Sequence, residues 1–331
     1  MVEINKTTTL HDLNQNANLT QVKDILIGGG KGAFYNDFGN MTLQQLHEKQ
    51  PTWDVDDMLL GIQRVIELNK LGVPYVFYPV KGKEETVQLI YVPAKKKKTD
   101  SYVVLCAGGG YGAVCTMVES LPVAAKLSEL GIDSFCLNYT TFHPEDKKCG
   151  YIHKPLNDLA ESILWIRNHS EDFDINPNSY YVGGFSAGGH LAAMWGTNSG
   201  SGKYGINNAK GLLLVYPLIA IETLMDCELK DLLYEGLLGE HNVNQVEEKC
   251  NINLNIDYKY PKTYLIQSID DDTVPIVNAD LMEDALNKKS IPNKIRKVQS
   301  GGHGFGLGSK LPDGTWVNEA VSFLDIISSG S

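Results

Sequence analysis

The sequence contains no run approaching the roughly 18 apolar residues of a membrane span. Its amino end, MVEINKTTTLHDLNQ, lacks the apolar stretch of a secretory signal. Positive charge is in deficit: 29 Lys and Arg stand against 40 Asp and Glu, a formal net charge of -11 at pH 7. Such a chain is a poor partner for nucleic acid or an anionic membrane. Cysteine is sparse, six in 331 residues, with no CxxC pair and no zinc-ligand spacing. Together these absences set the expectation of a soluble, reduced, cytoplasmic protein with no metal site. The one basic run, Lys95 to Lys98, reads as a solvated turn before a strand. Cys106 and Cys136 fall inside strand-like runs and read as small core residues.

What is present is a 43% hydrophobic chain, enough for a sizeable core, in a length that α/β folds often use for one domain. Eight strand-like runs can be read, at 75–80, 87–93, 101–107, 133–139, 179–185, 211–217, 263–268 and 294–300. KGKEET joins the first two as a hairpin. From the third onward, helical patterns intervene: one from Ser120 to Gly131, one through Leu156, Leu159, Ile163 and Ile166, then 189–196, Val277 to Lys289, and Trp316 to Ile327. This alternation predicts a mostly parallel sheet with helices on both faces. Two stretches break it. Residues 1–72 precede the first strand and hold a short helix, a proline turn, and a longer helix capped at Asp54 and stopped by Gly72. Residues 218–260 are too long for an ordinary connection and read as a small cap with a helical piece in IETLMDCELKDLLYEGLLG.

The strongest motif is Gly184-Phe185-Ser186-Ala187-Gly188, a G-x-S-x-G between a β-rich run and a helix-capable one. That context lifts a serine Oγ above the sheet on a sharp turn, where it can act as a nucleophile. A serine nucleophile needs a base and an orienting acid, in the chain order Ser, acid, His for this strand-turn-helix arrangement. His303, in the glycine-rich SGGHGFGLG after the last strand, is the candidate base; His241 lies among polar residues of the cap region. SIDDDTVP offers Asp270, Asp271 and Asp272 as acids. His190, one helical turn past Ser186, reads as a buried, hydrogen-bonded helix histidine.

CAGGGYG, residues 106–112, follows an apolar strand and predicts an anion site. It matches G-x-G-x-x-A through Gly108, Gly110 and Ala113, but a dinucleotide fold wants an acid at the end of the next strand, which here ends at Asn138 in CLNY. IGGGKGAF, residues 27–34, lacks the glycine spacing and the hydroxyl residue of a phosphate loop. The better reading is an oxyanion hole: backbone N–H groups of Gly109, Gly110 and Ala187 holding a charge that exists only during reaction.

These motifs resemble the α/β-hydrolase fold, and within it the esterase/lipase branch with an HGGG-type loop. Ala107 takes the place of the usual His. With GFSAGGHLA and HGFGL, the pattern is similar to small bacterial esterases of the acetyl-xylan or carbohydrate esterase kind. The resemblance covers about residues 75–328. Nothing in residues 1–72 shares it; joined to the pattern read above, this gives a catalytic domain over 73–331 with 218–260 as a cap-like insertion, and a helical extension of unknown role over 1–72. The resemblance also implies that the acid stands four residues before the proline of D-x-x-V-P, which is Asp271, with Asp270 as the alternative. Asp158 takes the place of a structural, buried aspartate, and Tyr111 either lines the acyl pocket or packs beneath it. The implied activity is hydrolysis of short-chain, above all acetyl, esters through an acyl-enzyme, with an acylated sugar as one candidate substrate and with no cofactor. An amide-cleaving enzyme of formamidase or peptidase type and a non-catalytic binding protein are the rival readings. Residues 1–72 have three open placements: on the sheet edge, in a homo-oligomer interface, or over the pocket.

Overall fold

The computed structural model describes residues 3–26, 38–142, 150–225, 228–237 and 243–327. All eight strand-like runs are strands: β1 (Val76–Phe77), β2 (Gln88–Val92), β3 (Tyr102–Cys106), β4 (Asp133–Asn138), β5 (Tyr180–Phe185), β6 (Gly211–Val215), β7 (Lys262–Ser268) and β8 (Asn293–Val298). They form one sheet in the order β1-β2-β4-β3-β5-β6-β7-β8. β1 and β2 pair antiparallel, as do β2 and β4; every later pairing is parallel. β1 is much shorter than the run that announces it. Pro74 and Pro79 flank it, and proline cannot donate to a strand ladder.

Side chains alternate between the faces. Tyr102, Val104 and Cys106 of β3 enter one apolar cluster with Leu159 and Ile163 of the helix His153–Asn168 and Met282 and Leu286 of the helix Val277–Lys288. Val103 and Leu105 enter the other, with Leu121 and Leu127 of the helix Ser120–Leu130 and Val317 and Ala320 of the helix Val317–Phe323. Cys136 is buried there too, and Cys106 on the opposite face. Asp158, fully buried, accepts from Lys83 Nζ at 2.7 Å and from the Thr140 amide at 2.9 Å, a structural carboxylate satisfied from two directions. Lys97 departs from the solvated-turn reading: its Nζ reaches Asp133 at 2.9 Å and the carbonyls of Phe173 and Asp174 at 2.8 and 2.6 Å.

The N-terminal region carries helices Leu10–Gln15, Lys23–Leu26, Leu43–Lys49 and Val55–Leu71. Thr9 and Thr42 open two of them with capping boxes, Asp54 caps the longest through the amides of Asp56 and Asp57, and Gly72 ends it in the left-handed region. Leu10, Ile62 and Val65 belong to the same cluster as Val103 and Leu105, so these helices thicken one face of the sheet. The helix Val55–Leu71 lies close on Ser120–Leu130 at Gly61, where a Cβ would stand 3.0 Å from the Pro122 nitrogen. The glycine loop at 27–34 and His241 lie outside the described residues. Between β6 and β7 stand 3-10 turns at Ile221–Thr223 and Ile252–Leu254 and helices Glu228–Gly236 and Val243–Cys250. Asn278 holds the start of this insertion, accepting from the amides of Ile219 and Ala220 at 2.9 and 3.1 Å. Among the described residues no helix is long and apolar enough to cross a membrane.

Candidate active site

Strand β5 passes straight into the helix Ser186–Trp195, which begins at the serine itself rather than at residue 189. Ser186 sits at φ 51°, a conformation L-residues avoid and that marks functional turns. The flanking glycines make the turn possible. A Cβ on Gly184 would lie 2.1 Å from the Gly188 carbonyl oxygen, and one on Gly188 2.2 Å from that of Cys106. Helix and strand therefore cross at backbone contact, with Ser186 Oγ raised at the carboxyl end of the sheet.

His303 comes to that oxygen from the loop after β8. Its Nε2 is 2.8 Å from Ser186 Oγ, and its Nδ1 is 2.8 Å from Asp271 Oδ2. A carboxylate can only accept, so Nδ1 carries the proton and Nε2 is left to accept from the serine hydroxyl. The Asp271 side chain is fully buried and its other oxygen, Oδ1, accepts from the amides of Thr273 and Val274 at 3.0 and 2.8 Å. Asp270 faces the other way. Its Oδ1 accepts from the Gly301 and Gly302 amides at 3.0 and 2.8 Å and from the Ser268 hydroxyl. Burial raises its pKa, but these bonds from Ser268, Gly302 and Gly301 outweigh it and hold the carboxyl below its ordinary value. Asp270 thus ties down the histidine loop, while Asp271 meets the imidazole. Asp272 is exposed.

The glycine loop after β3 crosses above Ser186. A Cβ on Gly108 would stand 2.8 Å from the serine Cβ. The Gly108 amide is taken by Glu119 Oε2. Among the described residues, the amides of Gly109 and Gly110 donate to no protein acceptor. Both glycines line the cavity at Ser186, as does Ala187 at the helix start. Glu119 is a feature the sequence did not announce. It precedes the helix Ser120–Leu130 and looks like a cap, yet its side chain caps nothing. Instead its Oε1 accepts from Tyr216 Oη at 3.0 Å, and Tyr216 in turn accepts from the Gly306 amide at 2.9 Å and packs on the His303 ring at 4.7 Å between centroids. Glu119 therefore joins the glycine loop to the histidine loop. Burial pushes its carboxyl up to about 7, against the Gly108 bond, the nearby His303 and the Tyr216 bond, which pull it down. Cys115 lines the same cavity, and burial pushes its thiol up, which makes it a poor nucleophile.

Tyr111 is 1% exposed and at φ 61°. It points beneath the loop, where its hydroxyl donates to His190 Nδ1 at 2.7 Å, and it borders a small crevice with Phe142 and Tyr151 rather than the cavity at Ser186. His190 donates from Nε2 to the Cys250 carbonyl at 2.8 Å; burial pushes it down to about 4, so it is neutral and structural. The cavity at Ser186 measures about 280 Å³. Leu218, Leu224, Leu233 and Val274 give it apolar lining, and Gln50 and Trp53 of the N-terminal region line it as well. Thr52, between them, donates from Oγ1 to the carbonyl of His303 at 2.6 Å.

The BD-FAE family model matches residues 89–286, more than half of the chain. The chain belongs to the BD-FAE family. Its sheet order and its structural neighbours make it an α/β-hydrolase of the esterase branch. Among curated relatives, the acetylxylan esterase of Xylanibacter ruminicola is 26% identical over 208 residues, 62% of this chain and 41% of that protein. The endo-1,4-beta-xylanase B of Butyrivibrio fibrisolvens is 26% identical over 218 residues, 63% of this chain and 33% of that protein. The chain thus spans less than half the length of these relatives. Among solved structures, the acetyl ester-xyloside bifunctional hydrolase of Caldicellulosiruptor lactoaceticus is 27% identical with a TM-score of 0.60, covering 75% of this chain and 90% of its own. The family match begins at residue 89, so Gln50, Thr52 and Trp53 lie outside it.

Proposed function

We propose that this chain is a serine ester hydrolase that cleaves short-chain acyl esters, acetyl above all, of carbohydrates. The observation that carries the reading is the unbroken line from Asp271 through His303 to Ser186, 2.8 Å at each step, opening into a cavity lined by Gly109, Gly110 and Ala187. In the mechanism, Ser186 Oγ attacks the ester carbonyl as its proton passes to His303 Nε2. Asp271 keeps the proton on Nδ1 and stabilises the imidazolium. The carbonyl oxygen becomes an alkoxide, held by the amides of Gly109, Gly110 and Ala187; one such donor is typically worth about 3–4 kcal/mol. The intermediate collapses, the bond to the alcohol oxygen breaks, and His303 gives that oxygen its proton. Water then repeats the sequence on the acyl-enzyme, and the acid leaves.

Two facts favour the acetyl and carbohydrate reading. The cavity is small, about 280 Å³, and Leu218, Leu224 and Leu233 line it together with the serine. The relatives named for their substrates act on acetylated xylan or xylosides. The test is hydrolysis of p-nitrophenyl acetate, butyrate and octanoate and of acetylated xylo-oligosaccharide, by wild type and Ser186→Ala. Activity that falls with acyl length, includes acetate release from the sugar and vanishes in the variant supports the proposal. Turnover of amides in place of esters would replace it.

A further inference from the structure

The N-terminal region adds to this site something that the matched family segment does not contain. The turn between the helices Leu43–Lys49 and Val55–Leu71 brings Gln50 and Trp53 to the cavity wall, next to His303 and Gly304. Trp53 is close enough that a Cβ on Gly304 would meet its Nε1 at 3.2 Å. Gly304 has φ +88°, so the loop takes a shape that leaves room for the indole.

The side of the site that Trp53 occupies follows from the chemistry. His303 Nε2 must hand its proton to the departing alcohol oxygen, so that oxygen lies within hydrogen-bond reach of Nε2. The alcohol therefore leaves past the His303–Gly304 side, where the indole of Trp53 meets Gly304 and Thr52 bonds the His303 carbonyl. Among the described residues, a half-buried indole, Trp53, stands against Gly304, and the amide of Gln50, which lines the same cavity, donates from Nε2 to Thr52 Oγ1 at 3.2 Å. An indole offers a flat apolar face, and a pyranose offers a face of C–H groups with hydroxyls around its rim. An indole beside an amide suits such a ring; a long aliphatic alcohol would call for more leucine and no amide.

We propose that Gln50 and Trp53 form the leaving-group subsite and receive the sugar ring of the acylated carbohydrate, with the ring lying on Trp53. This rests on the ester-hydrolase reading for the direction of departure. The rival explanation is that Trp53 merely packs the histidine loop, as Thr52 does through the His303 carbonyl.

The experiment compares wild type, Trp53→Ala and Trp53→Phe on acetylated xylo-oligosaccharide and on methyl acetate, an ester whose alcohol carries no ring. The expected result is a fall of about tenfold in the ratio of kcat/KM for the sugar ester to that for methyl acetate in Trp53→Ala, mainly through KM, with most of it restored by Trp53→Phe. Equal loss on both esters, or no change in the ratio, overturns the subsite. Calorimetric titration of xylotriose into full-length Ser186→Ala, with and without Trp53→Ala, gives a readout free of catalysis. Binding that weakens about tenfold with the second substitution supports the subsite even if no ester is turned over, which separates its fate from that of the esterase reading. Xylotriose binding that is absent, or indifferent to Trp53, counts against the subsite.

Discussion

Two neighbouring aspartates face opposite tasks, and exchanging each for asparagine separates them. Asp271 Oδ1 is held by two amides and Oδ2 meets His303 Nδ1. In Asp271→Asn the carbonyl oxygen stays with the amides, since only an acceptor fits there, and the NH₂ group turns to the imidazole. Two donors cannot face each other, so Nδ1 gives up its proton and Nε2 takes it. Ser186 then has no base. A wrong tautomer of this kind costs about 10⁴ in kcat, about 5 kcal/mol of barrier. In Asp270→Asn the carbonyl keeps all three bonds, from Ser268, Gly301 and Gly302, and loses only the charge. The residue is exposed and solvent screens it, so stability falls by no more than about 1 kcal/mol and kcat by less than about tenfold. The assay is kcat on p-nitrophenyl acetate for both variants, with near-ultraviolet circular dichroism to verify the fold. A loss of about 10⁴ in Asp270→Asn with a small one in Asp271→Asn would refute the assignment. Small losses in both would refute the idea that a carboxylate orients the base.

Two other perturbations follow from the same geometry. Glu119, raised from an ordinary 4.5 to about 7, favours the fold when protonated, so its contribution is full below about pH 4.5 and is lost as pH rises through 7. In Glu119→Gln that loss should disappear, and melting temperature against pH between 4.5 and 8.5 should be flatter than in wild type; an equally steep decline in both would show that another group titrates. Thr52→Val removes the hydroxyl bonded to the His303 carbonyl while keeping the volume, at about 1 kcal/mol, and should lower kcat by about three- to tenfold with KM on methyl acetate nearly constant. A change confined to KM would mean that Thr52 touches substrate rather than positioning the loop.

The parts of this molecule that a reader of the sequence can find are those written locally. Each strand carries its own apolar run and each crossover helix its own period, so the sheet was legible strand by strand. β1 came out shorter than its apolar run, which includes Pro79, a residue with no N–H to donate, and its ladder with β2 pairs only Val76 and Phe77. The helix at the serine begins three residues earlier than its apolar period suggests, because Gly188 and Gly189 give no hydrophobic signal. Ser186 and His303 each sit in a glycine-rich signature that needs no knowledge of the rest of the chain. Asp270 and Asp271 could not be told apart from composition; their different roles arise from which backbone amides each one meets. Glu119, Tyr216, Thr52 and Trp53 were not legible at all. Thr52 lies 251 positions from the histidine it holds, and Glu119 lies 97 from Tyr216. Only tertiary packing makes such pairs, and Glu119 carried the further disguise of a residue at a helix start.

The central claim is that Ser186 is the nucleophile of an acyl-transfer reaction. Treatment of the full chain with a fluorophosphonate, followed by intact mass and peptide mapping, tests it most directly. The account predicts one adduct per chain, on Ser186, absent in Ser186→Ala and slowed in Asp271→Asn. An adduct on another residue, or none on a folded chain, would contradict it.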